Sequence, residues 1–323
     1  MLVYEGDFLK TVASKLMKEG CRVYAPSEIA YTEINHDSQI SDVKPKKSVK
    51  EFLFPQNEVL IGYGDWIEKV PLNRERRAVV GVKPCDARAI KLLDRIFLEG
   101  FEDPYYRARR ENTIIISSSC EPDAYCFCES FSSPFSEEGA DIFVSRIDGI
   151  SFVKAVSEKG KEVLKGFESD LRNPTDQEIE KFRNEEERVR GLFRRSVEAE
   201  IQEKMKEKFD SEIWKEIAIG CVGCGTCTFL CPTCFCFDML DEGEKKGIRY
   251  RAWDSCQFPL YTLESSSHNP RREKWQRLRN RFYDKFLYMV ESKGNVFCVG
   301  CGRCISECPA GVDIVEVLQE VSR

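Results

Sequence analysis

The sequence predicts an α+β protein: an N-terminal α/β domain, then a long helix, then a mostly helical C-terminal domain. Three observations carry this. Short β-branched runs flank a helical pattern within residues 1–172. A capped apolar stripe of helical spacing crosses residues 175–209. Cysteines crowd the last third of a 323-residue chain that has sixteen of them. The length fits roughly two domains. A 42% apolar share suffices for a core, and a net charge of −6 gives no general reason to expect nucleic acid or a membrane as partner. No apolar run approaches the roughly 20 residues of a membrane span. The start, Met1-Leu2-Val3-Tyr4-Glu5, lacks the basic-then-apolar pattern of a signal peptide, so a cytoplasmic location is expected.

In the first domain, strands are expected at Arg22-Val23-Tyr24, at Ala78 to Val82, at Thr113 to Ile116 and at Ile142 to Val144. A helical pattern, Ala87 to Phe97, separates the second from the third, which makes at least one βαβ unit. The connecting segment, 173–215, opens with Pro174 and a Thr175/Glu178 capping box. Ile179, Phe182, Val189, Phe193, Val197, Ile201, Met205 and Phe209 then fall on one helical stripe, so a single long helix over 175–209 is expected. Residues 216–323 form the third unit, with an insertion at about 238–296. The basic stretch in it, Arg271, Arg272, Lys274, Arg277, Arg279, Arg281 and Lys285, reads as a solvated helix face or a surface for an acidic partner, ahead of a nucleic-acid contact.

The chemistry lies in two repeated runs. The first is Cys221-x2-Cys224-x2-Cys227-x3-Cys231-Pro232, the second Cys298-x2-Cys301-x2-Cys304-x3-Cys308-Pro309. Both are the bacterial ferredoxin run, whose fourth cysteine ligates the other cluster. One [4Fe–4S] cluster is therefore expected on Cys221, Cys224, Cys227 and Cys308 (cluster I), and a second on Cys298, Cys301, Cys304 and Cys231 (cluster II). Two-residue gaps let successive thiolates reach different irons, and glycines at 223, 225, 300 and 302 allow the curvature. A zinc site would use paired cysteines rather than a 2-2-3 run followed by proline. With only two histidines, His36 and His268, little remains for a histidine metal site or histidine catalysis.

Four further cysteines suggest a third [4Fe–4S] cluster: Cys85 after the second strand, and Cys120, Cys126 and Cys128 after the third. If those strands are parallel neighbours, both groups leave the same sheet edge, where open α/β sheets place ligands. Asp86 is an alternative ligand. Cys234, Cys236 and Cys256 are read as shielding or packing residues, with a metal or redox role as the sharper option, and Cys21 as structural.

Several segments together resemble a known family: Val82-Lys83-Pro84-Cys85-Asp86-Ala87, Asp103-Pro104-Tyr105-Tyr106-x3-Arg110, Cys120-x5-Cys126-Phe127-Cys128, Cys231-Pro232-Thr233-Cys234-Phe235-Cys236, Trp253-Asp254-Ser255-Cys256 and His268-Asn269-x-Arg271. They are similar to the β subunit of cytoplasmic NiFe sulfhydrogenases and to the corresponding iron–sulfur subunit of anaerobic sulfite reductase. The resemblance implies a non-catalytic electron-transfer subunit of a hetero-oligomer. It would carry electrons between a flavin-containing, NAD(P)H- or ferredoxin-reacting subunit and a catalytic redox subunit of hydrogenase, sulfite reductase or heterodisulfide-reductase type. The absence of a Gly-x-Gly-x-x-Gly or Walker loop agrees. The alternative is a catalytic redox enzyme with its substrate site at the N-terminal cluster or the extra cysteines; an iron–sulfur regulator ranks third.

Overall fold

The computed structural model describes residues 1–198 and 201–323. Twelve strands are found among them: β1 (Leu2–Glu5), β2 (Arg22–Pro26), β3 (Tyr31–Ile34), β4 (Asn57–Tyr63), β5 (Ile67–Lys69), β6 (Arg77–Val82), β7 (Thr113–Ser118), β8 (Ile142–Ile147), β9 (Ile150–Ala155), β10 (Leu171–Arg172), β11 (Phe237–Gly243) and β12 (Gly247–Trp253). Eight form one sheet, in the order β10-β1-β9-β8-β7-β6-β2-β3. Its centre is parallel: β2 with β6, β6 with β7, β7 with β8.

Alternation along these central strands assigns each residue to a face. Ala78, Val80, Ile114 and Ile116 pack with Phe8, Val12 and Leu16 of the helix Phe8–Lys18 on one side. Val79 and Ile115 pack with Ile90, Leu93 and Phe97 of the helix Pro84–Phe97 on the other. Helices on both faces explain why β6 and β7 are buried along their whole length. The expected parallel pairing of 78–82 with 113–116 is present, and Cys85 and Cys120 leave the carboxyl ends of these two strands.

The single helix expected over 175–209 is not found. A helix does begin at the Thr175/Glu178 capping box, but Asp176–Arg190 ends at Gly191, and a separate short helix covers Ile201–Glu207. Residues 199 and 200 of the expected helix lie outside the described residues. The apolar stripe serves two different cores, which one straight rod cannot reach. Phe182 and Val189 pack with Phe135 and Phe143 against the sheet. Ile201 and Met205 belong to the C-terminal core with Trp214, Phe282 and Phe286. Gly191 caps the first helix, its N–H donating to the Glu187 and Val189 carbonyls.

The C-terminal third is less helical than its pattern suggests. β11 and β12 form a hairpin that pairs with β4, giving a second sheet, β11-β12-β4-β5, shared between the two ends of the chain. Beneath it, Arg251 donates from Nε to Glu58 Oε2 at 2.8 Å and also pairs with Asp103, while Arg109 pairs with Glu58. Arg251 lies over the Phe54 ring at 5.0 Å. Among the described residues no helix is long and apolar enough to cross a membrane.

Candidate metal centres

Each ferredoxin-type run curls through two glycines and ends in a short helix. Gly223 and Gly225 take φ of 69° and 77°, and Gly300 and Gly302 take 63° and 75°, so the two loops share one backbone shape. These are left-handed angles, open to glycine at no steric cost. The helices that follow, Thr226–Phe229 and Arg303–Ser306, pack on each other. That contact brings the fourth cysteine of each run to the other loop.

Two cavities result. One, with about 500 Å³ of empty space, is bordered by Cys221, Cys224, Cys227 and Cys308. The other, about 300 Å³, is bordered by Cys298, Cys301, Cys304 and Cys231. Each cavity is thus bordered by three cysteines of one run and by the fourth cysteine of the other. Cys304 and Arg281 also border the first, so the cavities adjoin. Backbone amides face the thiols: Gly223 N–H donates to Cys221 Sγ at 3.4 Å and Val312 N–H to Cys308 Sγ at 3.2 Å. Such bonds stabilise thiolate and tune a cluster's potential.

The charges around the cavities test whether a cluster fits. Arg281 and Lys285, which border the second cavity, are all but buried, at 4% and 2% exposure, and neither forms an ion pair with a carboxylate among the described residues. Arg281 Nε is buried without a hydrogen-bond partner. An unpaired buried cation is expensive, so an anionic group is wanted at this place. Thiolates around iron and sulfide supply one. Burial pushes the Cys298 and Cys304 thiols up to about 12, so they hold their protons at neutral pH unless a metal displaces them. Cys231 is instead held well below the ordinary thiol value, by a hydrogen bond with Cys234 and by Lys285 and Arg281. Among the described residues no three His, Cys, Asp or Glu side chains are grouped to hold one metal ion. The thiols ring the cavities instead, as a cubane with four separate irons requires.

Cys85, Cys126 and Cys128 lie against Cys301 of the second cavity, whereas Cys120 borders a separate polar cavity. Cys85 and Cys128 pack with Cys301, Phe297 and Val299 in one apolar cluster. Burial drives the thiols of Cys120, Cys126 and Cys128 upward, and the charges of Cys120 and Cys126 add to the rise at Cys128. Lys44 Nζ donates to Cys126 Sγ at 3.3 Å and to the Cys301 carbonyl at 2.8 Å. Phe127, between the two cysteines, is fully buried in the C-terminal core, borders the second cavity, and donates its N–H to Gly300 O at 2.8 Å. Asp86 has another task than the alternative ligand role. Arg303 donates to both of its oxygens, at 2.6 and 2.7 Å, and Tyr31 to one at 3.1 Å.

The 4Fe-4S dicluster domain family matches residues 220–312. Sulfhydrogenase 2 subunit beta of Pyrococcus furiosus is 34% identical over 317 residues, covering 94% of this chain and 93% of that protein. The chain belongs to the sulfhydrogenase β-subunit family. No solved structure matches it.

Within this family member, three site features escape the motif reading. Lys44 lies in no motif, and only folding brings it to Cys126 and Cys301. Arg303 reads in sequence as a mere spacer between two cysteines. The basic stretch 271–285 is not simply a solvated face: Arg277, Arg281 and Lys285 are buried, and Arg281 and Lys285 border the second cavity. Their four-residue spacing, one helical face, is the signal that could have found them.

Proposed function

We propose that this chain is the iron–sulfur wire of a multi-subunit oxidoreductase, holding clusters I and II on the eight cysteines of the two runs and a third [4Fe–4S] cluster on Cys85, Cys120, Cys126 and Cys128. The carrying observation is the pair of adjoining cavities, bordered by five and four thiols with Cys304 common to both, and both by Arg281. When bound, such clusters pass one electron at a time. The chain's own residues position and charge-balance them. The two loops hold the thiols, Gly223 and Val312 amides stabilise them, and Arg281 and Lys285 offset negative charge. Phe127 and Lys44 join the N-terminal cysteines to the second cavity, which gives the three sites a linear order.

The Cys221 loop is the open end of that order. Cys224 is exposed, and Ile219 and Val222 project at 81% and 66% exposure. We assign this end to a redox partner. The relative's name makes it the β subunit of a hydrogenase; for this chain the partners are a flavin-containing subunit and a catalytic redox subunit in a cytoplasmic hetero-oligomer. Anaerobic reconstitution should load about twelve irons per chain, against about eight if only the two runs bind. Material from the native source should carry a flavoprotein with it, and an active lone monomer would overturn the wire.

One observation favours a second reading. Cys120 borders a polar cavity of about 1080 Å³ at the carboxyl ends of the parallel strands, with Asp42, Ser118, Ser119 and Arg146. A small polar substrate reduced there would make the chain catalytic in itself, and turnover by the isolated, cluster-loaded chain would decide for it.

A further inference from the structure

Lys44 sits where the two halves of the chain meet, in the stretch Val43-Lys44-Pro45-Lys46-Lys47 between β3 and β4. A loop lysine ordinarily holds its ammonium in water, where an ion pair on it is worth little. This one is drawn in. Its side chain is 20% exposed, and its ammonium has three partners. It donates to Cys126 Sγ at 3.3 Å and to the Cys301 carbonyl at 2.8 Å, and it pairs with Asp123. Cys126 and Cys301 are assigned above to different clusters, and they lie against each other, Cys126 Sγ 3.9 Å from Cys301 O. One positive charge is thus shared between two sites.

The loop that carries it is pinned from both sides. Toward the sheet, the N–H groups of Lys46 and Lys47 donate to the Glu28 and Ile29 carbonyls at 3.1 and 2.8 Å, and Ser41 Oγ donates to Pro26 O at 2.7 Å. Toward the second ferredoxin run, Arg303 Nε donates to the carbonyl of the buried Pro45 at 2.8 Å, and Lys46 Nζ donates to Glu307 Oε2 at 2.9 Å. Arg303 and Glu307 lie in the same run as Cys301. The residues flanking Lys44 are therefore tied to both halves, and its ammonium is ordered before any charge arrives.

A charge at that point acts in a definite direction. A [4Fe–4S] cluster gains one negative charge on reduction, so a cation hydrogen-bonded to a ligand sulfur favours the reduced state. Asp123 offsets part of the Lys44 charge. Its Oδ1 accepts from the Tyr125 and Cys126 N–H groups at 2.9 and 3.1 Å, which holds the carboxylate on the cysteine segment. Arg303, another cation of this junction, is already matched by Asp86, which is as deeply buried.

We propose that Lys44 sets the potential of the cluster on Cys85, Cys120, Cys126 and Cys128 and, to a lesser degree, that of cluster II, so that an electron is held at the junction of the two halves. It ligates no iron and carries no electron; it acts through Cys126 and Cys301. Its effect is largest where it bonds a sulfur directly, smaller through the Cys301 backbone, and smallest at cluster I. This rests on the three-cluster reading above.

The test is a potentiometric titration of the cluster-loaded full chain, followed by electron paramagnetic resonance, with iron and sulfide measured on the same samples. The signal missing from Cys126→Ser marks the N-terminal cluster. In Lys44→Met that cluster should be harder to reduce. Its reduced-to-oxidised ratio at a fixed potential should fall roughly tenfold, which is about 59 mV for one electron. Cluster II should move the same way by less, and cluster I least. Lys44→Arg, which keeps the charge, should stay near wild type. Asp123→Asn keeps an oxygen for the Tyr125 and Cys126 amides but loses its charge, so it should move the N-terminal cluster in the opposite direction. A purely structural role would not give the two variants opposite signs. Unmoved potentials in iron-loaded Lys44→Met and Asp123→Asn overturn the proposal, as does a shift of cluster I equal to that of the N-terminal cluster. Should Lys44→Met load less iron, Lys44→Gln, neutral and still a donor, takes its place, and loss of iron there too overturns the proposal in favour of a structural role. Wild-type chain with about eight irons, and no signal lost in Cys126→Ser, overturns the third cluster and the proposal with it. About twelve irons with unmoved potentials overturns the role of Lys44 alone.

Discussion

Gly300 has no room for a side chain. A Cβ there would lie 2.5 Å from the Cys128 backbone, and the residue holds φ of 63°. Gly300→Ala must therefore push the second ferredoxin loop off the Cys126–Cys128 segment. Iron per chain should fall by roughly a third or more, as one or two of three clusters are lost, and full iron loading would contradict this. Arg281 acts by charge. A buried cation favours the more negative, reduced state of a neighbouring cluster, so Arg281→Gln should lower the potentials of both clusters of the runs. The shift is about 59 mV for each 1.4 kcal/mol of interaction lost. Potentiometric titration reads both, and an unchanged pair would remove Arg281 from the site.

At the scale of elements, the hairpin β11–β12 joins the two halves of the chain, and its arginines differ in weight. Arg251 is buried at 3% exposure beneath the sheet with Glu58 and Asp103, whereas Arg249 pairs with Asp241 on the open face. Arg251→Ala leaves buried carboxylates with less than their full complement of charge, and should cost about 3–5 kcal/mol in chemical denaturation. Arg249→Ala should cost no more than about 1 kcal/mol. Equal effects would mean that the hairpin is not a structural joint. The same reasoning explains the broken connector. Its stripe has the right spacing for a helix throughout, but Phe182 and Met205 are claimed by cores that do not lie along one line.

Over the whole molecule, the halves are interlocked rather than strung together. Phe127 of the first half is buried in the core of the second, a burial that contributes roughly 1.5–3 kcal/mol. The hairpin of the second half extends a sheet begun by β4. Removing the metal leaves Arg281 and Lys285 buried without compensating charge. Chelated chain should therefore melt as one unit at a lower temperature than loaded chain. A calorimetric trace with two transitions, the sheet's midpoint unmoved, would show that the halves are independent.

Spacing along the chain was enough to find the two ferredoxin runs, the four central strands and the parallel edge from which Cys85 and Cys120 emerge. All of these are local: thiol spacing, glycine-permitted turns and alternation of apolar residues act within a few residues, so they can be read in order. Folding alone decided which distant residues meet. It set Lys44 beside Cys126 and Cys301, buried Arg277, Arg281 and Lys285 in place of a solvated face, and engaged Asp86 with Arg303 and Tyr31. Those outcomes depend on burial of charge and on contacts between segments far apart in sequence, and neither leaves a short-range period to read.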